Sequence, residues 1–305
     1  MLAYSAKRLL MAVLVAFTVS LVAFVLLRLS GDVAIAIAGP SATSEDIAHV
    51  REQYGLDRPL TVQYLEWVGG ALRGDFGESF YFKEDVSKIV ADRIPVTLIL
   101  GGCALGFALA LSIPLGVLAA LRPNTWLDRL ALTLSVLGQA LPTFWFALMM
   151  IIPFGVMLRW LPITGSDTWA HFVMPAIALG YYATPAIMRL TRTGMLDVLA
   201  SDYIRTARAK GLRTGTVLFK HALRNAIIPV VSLAAVQFGF MLGGSIIIET
   251  IFALHGLGFL AWESITRSDI AVVQAIVLIL ACFYIVLTLL ADLLNAFLDP
   301  RIRVS

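Results

Sequence analysis

The sequence predicts an all-α membrane protein with six transmembrane helices. Three observations carry that expectation. Of 305 residues, 59% are hydrophobic and 14% charged, against about 25% charged in soluble domains. Six apolar stretches approach or exceed the roughly 20 residues that cross a hydrocarbon core. Lysine and arginine concentrate in alternate connections between those stretches. A net charge of +3 is too small to imply a nucleic-acid partner, and none is expected.

Taken in order, residues 1–29 hold the N-terminus and first span, whose apolar run, 9–27, contains no charge. Lys7 and Arg8 precede it, and Ala36-Ile37-Ala38 resembles a cleavage site, but the run is longer than the 7–15 residues of a signal-peptide core. It reads as a retained span. The second to sixth spans are expected at 94–121, 130–158, 172–191, 226–250 and 270–297. Pro114, Pro142, Pro153, Pro175 and Pro185 lie within them. Membrane helices tolerate such breaks where neighbours satisfy the freed carbonyls. With the N-terminus in the cytoplasm, Lys7, Arg8, Arg122, Arg129, Arg301 and Arg303 face inward, as does the basic loop from Arg189 to Arg224. Only Arg159 and Arg267 then sit in the short outer loops, so both termini are expected inside. Cys103 and Cys282 lie in apolar runs and read as small buried hydrophobes, with no disulfide or cysteine metal site.

Three segments are not bilayer. Residues 30–93 carry eleven acidic and six basic residues, an acidity suited to the extracytoplasmic side. Ser44 is placed to cap a short helix ending near Gly55. Pro59 is placed to start a second, with Leu60, Tyr64, Trp67, Val68 and Leu72 on an apolar face. Gly74 and Gly77 mark a turn. This segment fits either a lid on the spans or a docking surface for an external partner. Within 192–225, Leu196, Leu199, Ala200, Tyr203, Ile204 and Ala207 follow one helical face, and Gly211 is a plausible stop. Such a helix suits either the lipid headgroups or a lever inserted into a cytoplasmic partner. The third segment, 252–269, has Gly256 and Gly258 around Leu257; composition assigns it no chemistry.

The inner stretch Asp202-Tyr203-Ile204-Arg205-Thr206-Ala207-Arg208-Ala209-Lys210-Gly211, continuing to His221-Ala222-Leu223-Arg224-Asn225-Ala226-Ile227-Ile228-Pro229, resembles the EAA loop of ABC importer permeases. The variant is that of the dipeptide/oligopeptide/nickel family, and the chain resembles its first permease subunit, the oligopeptide-permease-B type. Gly31-Asp32, the run from Tyr54 to Leu60, Gly74-Asp75-Phe76-Gly77, Leu161-Pro162, Gly165, Gly243-Gly244-Ser245, Glu249, Gly256-Leu257-Gly258 and the run from Leu298 to Arg303 agree with it. Three positions depart from wider patterns. Arg224 stands where the general EAA loop has proline, as in the peptide branch. Leu254 and His255 stand where many members have tryptophan and proline.

The resemblance implies the type I importer permease fold with a cytoplasmic coupling helix. It implies a second, homologous permease chain, two cytoplasmic ATPases, an external binding protein, and residence in a prokaryotic inner membrane among lipid. Leu199 and the ten residues from Asp202 to Gly211 are then the expected ATPase-coupling site: Leu199, Asp202, Tyr203, Ile204, Arg205, Thr206, Ala207, Arg208, Ala209, Lys210 and Gly211. In that expectation the apolar face packs into the ATPase, and Arg205, Arg208 and Lys210 add charged contacts. Polar side chains within spans face protein or a cavity, which nominates Gln139, Pro142, Thr143, Ser232, Gln237, Ser245 and Glu249 for the pathway. Hydrogen bonding between helices is the alternative for each.

No Gly-rich phosphate loop ending in Gly-Lys-Ser/Thr occurs, so ATP and magnesium are expected in the partner ATPases and no cofactor in this chain. None of the four histidines begins a His-Glu-x-x-His motif, and no Gly-x-Ser-x-Gly elbow occurs, so an enzyme is not expected. A secondary transporter or channel is the rival, but it would carry deep charges or an internal repeat. The resemblance leaves di- or oligopeptide as the expected substrate, with nickel, glutathione or an oligosaccharide as alternatives.

Overall fold

The computed structural model describes residues 2–29, 31–39 and 42–298, and every regular element among them is helical. The C-terminal match from Asp299 to Arg303 lies outside the described residues, as do Arg301 and Arg303 of the charge argument.

Helix α1 (Leu2–Leu29) is followed by short helices α2 (Val33–Ala38), α3 (Ser44–Gln53) and α4 (Leu60–Ala71). Thr43, not Ser44, caps α3, sharing a reciprocal capping box with Asp46. Tyr54 ends that helix and Gly55 follows at φ +62°. Pro59 precedes α4 as expected. The inward face of α4 is Gln63, Tyr64, Trp67 and Val68, whereas Leu60 and Leu72 are 54% and 84% exposed. Tyr64 reaches the middle of α1, its hydroxyl 2.8 Å from Ser20 Oγ. On a membrane span apolar and buried are different properties, since the surroundings are hydrocarbon: Cys103 and Cys282, expected to be buried, are exposed.

The centre of the fold is α5 (Val86–Leu121), which begins ahead of the apolar run at Ile94 and carries Pro95 and Pro114 within it. It packs along α8 (Val173–Tyr181), α9 (Thr184–Leu199) and α13 (Ile228–Ile251). Small residues set those approaches. A Cβ on Gly180 would stand 2.3 Å from the Ala104 carbonyl oxygen, and one on Gly116 would stand 2.7 Å from that of Met188. Backbones this close gain dispersion contact without competing with lipid for burial. The core fills the same seams with Leu100, Ala108, Met174, Ile187, Met241 and Ile248.

Four helices among the described residues are long and apolar enough to cross a membrane: Ser5–Leu29, Val86–Leu121, Ile228–Ile251 and Ile270–Leu294. The expected third and fourth spans are each divided. Helix α6 (Trp126–Ala140) stops where Leu141 and Pro142 become extended; α7 (Thr143–Met150) then continues as a wider turn, Ile151–Met157. The proline blocks the helical conformation of the residue before it. Tyr182 and Ala183 separate α8 from α9, and Pro185 occupies the first turn of α9. Helix α10 (Asp202–Ala209) leads through α11 (Thr214–Thr216), a wide turn Val217–Leu223 and α12 (Arg224–Ala226) to α13. Pro229 sits in the first turn of α13. After α14 (Leu257–Thr266), α15 (Ile270–Leu298) returns along α1, with Arg8 and Asp292 paired at 2.8 Å.

Candidate functional site

Helix α10 is separate from α9. Leu199 ends α9, Ser201 is extended at φ −73° and ψ 154°, and its hydroxyl bonds back to the Val198 carbonyl at 2.6 Å. The single amphipathic helix expected from Leu196 onward is therefore two helices, and Leu199 belongs to the first. Gly211, at φ +74°, closes α10. Its N–H donates to the Arg208 carbonyl at 2.9 Å, and the Leu212 N–H donates to that of Ala207 at 3.4 Å. That pairing is a Schellman stop, which favours glycine at the left-handed position.

The faces of α10 correct the expected docking mode. Ile204 and Ala207 are buried on the chain itself, against Val117 and Ala120 of α5, Met195 of α9, and Val217, Ala222 and Ala226. They are not available to a partner. The free face is Asp202, Tyr203, Arg205, Thr206, Arg208, Ala209, Lys210 and Gly211, all exposed. Arg205 contacts Asp202 one turn away. Tyr203 is held from beneath, its hydroxyl accepting from Asn225 Nδ2 at 2.8 Å.

Behind α10 stands an ion pair that the sequence reading did not single out. Arg192 on α9 donates from Nε and Nη2 to the two oxygens of Asp128 on α6, both at 2.7 Å. The Asp128 side chain is 3% exposed and that of Arg192 20%. The Asn124 N–H also donates to Asp128, at 2.9 Å. The Arg192 hydrogen bonds hold this carboxyl below the usual carboxylate range, against the opposing effect of burial. Bidentate geometry fixes both position and orientation, so this pair ties α6 to α9. One signal existed in the sequence: an acid at the start of an apolar run, with an arginine at the end of another.

The pathway nominees are not gathered into one site. Gln139 and Pro142 are exposed, and Gln139 accepts from Arg189 Nη2 at 3.3 Å. Thr143, Ser232 and Gln237 are half-buried. Ser245 and Glu249 are wholly buried and line no cavity in this conformation. Ser245 donates to the Leu242 carbonyl at 2.9 Å. Glu249 instead fastens the segment after α13. It accepts from Thr97 Oγ1 at 2.8 Å and from the Phe259 N–H at 2.9 Å, while the Leu257 N–H donates to Thr97 at 2.7 Å. The carboxylate thus satisfies otherwise unpaired amides at the start of α14. Gly256 and Gly258 make this possible. A Cβ on Gly256 would lie 2.5 Å from Thr97 Oγ1, and one on Gly258 would lie 2.6 Å from the Ile246 Cα.

Residues 112–304 match the family described as binding-protein-dependent transport system inner membrane component, and residues 1–101 match the N-terminal model of the same group. The chain belongs to this family of transport permeases. It is a permease subunit of an ABC importer, and not an enzyme. The glutathione transport system permease protein GsiC of Salmonella typhimurium is 42% identical, and that of Escherichia coli K12 41%; each comparison covers 99% of both chains. Among solved structures, an inward-facing MetNI methionine ABC transporter aligns with TM-score 0.58 at 19% identity, covering 69% of this chain and 96% of that one. An amino acid ABC transporter crystallised with histidines aligns with TM-score 0.50, also at 19% identity, covering 70% and 94%. These likenesses establish the type I permease fold. The inner-membrane, multi-pass setting follows from the family together with the apolar helices.

Proposed function

We propose that this permease carries peptides, with glutathione, itself a small peptide, the first to test. The observation that supports this substrate is 42% identity over 99% of the chain to permeases named for glutathione transport. The proposed transporter pairs this chain with a second homologous permease, two cytoplasmic ATPases holding ATP and magnesium, and an external substrate-binding protein. The broken elements α6–α7 and α8–α9 supply the two remaining crossings, making six. Both termini then face the cytoplasm, which puts α10 on the same side as the ATPases.

In this reading α10 enters an ATPase cleft by its polar face. Arg205, Arg208 and Lys210 supply charge, and Tyr203 and Thr206 supply contact. Ile204 and Ala207 do not dock; they carry force into the permease core through Met195 and Val117. When ATP closes the ATPase pair, the Asp128–Arg192 clamp transmits the displacement of α9 to α6. Gln139, Pro142, Thr143, Ser232 and Gln237 remain the proposed pathway contacts, and Glu249 secures the outer rim.

The test is uptake of labelled glutathione and of labelled dipeptides into proteoliposomes holding the full complex. ATP-dependent, vanadate-sensitive uptake that requires the binding protein is expected. Uptake driven by a proton gradient without the ATPases would overturn the importer mechanism. ATP-driven uptake of nickel or an oligosaccharide, but of no peptide, would overturn the substrate.

A further inference from the structure

A cleft of about 540 Å³ opens where α1 ends and α15 begins, beneath the short helices α2 to α4. Its lining includes the aromatic side chains of Tyr54, Trp67, Phe76 and Phe80 and the polar ones of Arg28 and Gln274. Gln274 is 4% exposed, and its Nε2 has no hydrogen-bond partner among the described residues. Leaving a buried amide donor unmade is costly unless something accepts from it.

Arg28 is also short of a counter-ion. Its Nε donates to Gln63 Oε1 at 3.0 Å and its guanidinium lies 4.4 Å from the Phe24 ring centroid. No carboxylate pairs with it among the described residues. A neighbouring cleft of about 700 Å³ shares Arg28 and adds Arg51 and Asp32. Arg51 is paired there with Asp32 at 2.5 Å and approached by Asp57 at 3.9 Å, which leaves Arg28 as the cation of the joined clefts that no carboxylate among the described residues meets.

The depth and the outer rim say what molecule meets this charge. Arg28 lies in the last turn of one apolar span and Gln274 in the second turn of its antiparallel neighbour. That is the level of the boundary between hydrocarbon and headgroups. Val25, Leu29 and Leu60, which line the neighbouring cleft, are exposed and apolar, so the surface continues into hydrocarbon rather than water. We infer that this cleft binds the headgroup of an anionic phospholipid: its phosphodiester accepts from Arg28 and Gln274, and its acyl chains descend along α1. The lipid ties α1, α4 and α15 together at one level. Nothing in this depends on the transported substrate.

The test uses the assembled transporter in phosphatidylcholine nanodiscs. Brominated phosphatidylglycerol is titrated in, and Trp67 quenching is read as the difference between wild type and Trp67→Phe. Native mass spectrometry counts retained lipid. One phosphatidylglycerol per copy should be retained, with Trp67 quenched at a mole fraction where brominated phosphatidylcholine has no effect. Arg28→Gln should weaken that binding about fivefold, the worth of one cation at a membrane surface. Gln274→Glu, nearly isosteric and so a check on folding, should weaken it at least as much by placing an anion in the cleft. Equal quenching by the two lipids would overturn the inference. So would loss of the quenching on adding millimolar inorganic phosphate, or retention of phosphatidylglycerol undiminished in both variants.

Discussion

Asp128→Asn tests whether the Asp128–Arg192 clamp holds α6 against α9. The wild-type carboxylate accepts two hydrogen bonds from Arg192, each 2.7 Å, and a third from Asn124. Asparagine keeps the shape and one acceptor, but its amide nitrogen meets a guanidinium nitrogen, two donors with nothing between them. One charge-assisted bond is therefore lost, and these contribute about 1.5–3 kcal/mol. Removing one partner of a wholly buried pair costs about 3–5 kcal/mol. Arg192 remains 20% exposed and recovers some hydration, so about 2 kcal/mol is the expected loss, a roughly thirtyfold shift in the unfolding equilibrium. The pH dependence follows from the lowered carboxyl. Its stabilisation is complete above the unfolded aspartate value of about 3.9 and is lost as pH falls through the lower folded value. Between pH 6 and 8 the gap between wild type and variant should be constant. It should close only in acid. The assay is denaturant unfolding of the purified complex at several pH values, with ATP hydrolysed per substrate imported measured alongside. A variant within about 0.5 kcal/mol of wild type, or a gap that varies between pH 6 and 8, would refute the reasoning. Normal stoichiometry of transport with reduced stability would leave the clamp as scaffold and remove it from coupling.

Other perturbations separate packing from transmission. Gly180→Val places a side chain against the Ala104 carbonyl 2.3 Å away; overpacking by about 3 kcal/mol should appear as a lowered unfolding midpoint, and an unchanged midpoint would mean α5 and α8 do not meet so closely. Ile204→Ala removes the largest buried side chain of α10 and should cost about 3 kcal/mol, whereas Thr206→Ala on the free face should change stability little but impair ATPase docking in a pull-down. Arg205→Glu combined with Gly211→Pro should abolish substrate-stimulated ATP turnover, because charge and helix stop change together; normal uptake by that double variant removes α10 from coupling. Glu249→Ala frees the Phe259 amide and should speed hydrogen exchange across 257–260, read by mass spectrometry, with protection of α9 unaffected.

Several elements were legible because one local rule governs them. Pro59 starts α4, Gly211 stops α10, and the uninterrupted apolar runs of α1, α5, α13 and α15 are each continuous helices. Where two rules competed, the reading failed in a specific way. Leu141-Pro142 lies inside an apolar run, and hydropathy cannot see the backbone break that proline imposes. Leu60 and Leu72 obey helical periodicity but face outward, because α4 meets α1 through Gln63, Tyr64 and Trp67, a contact that periodicity alone does not locate. For Glu249 local rules were silent: its partners, Thr97 and the amide of Phe259, are 152 and 10 residues away, and only the fold brings them together.

By itself, then, the sequence determined that this chain lives in a membrane, that its regular structure is helical, and that the stretch from Asp202 to Pro229 belongs to an importer permease. Composition and local motif suffice for those properties, since they depend on the solvent and on neighbours a few residues away. Only the tertiary structure decided which face of α10 is free, that Asp128 and Arg192 join α6 to α9, and that Glu249 bonds to Thr97 and the Phe259 amide. Each of these depends on which helices pack together. That choice is set by glycine-wide seams such as Gly116 and Gly180 against α5 and its neighbours, where the distance between two backbones, and not the polarity of any residue, selects the partner.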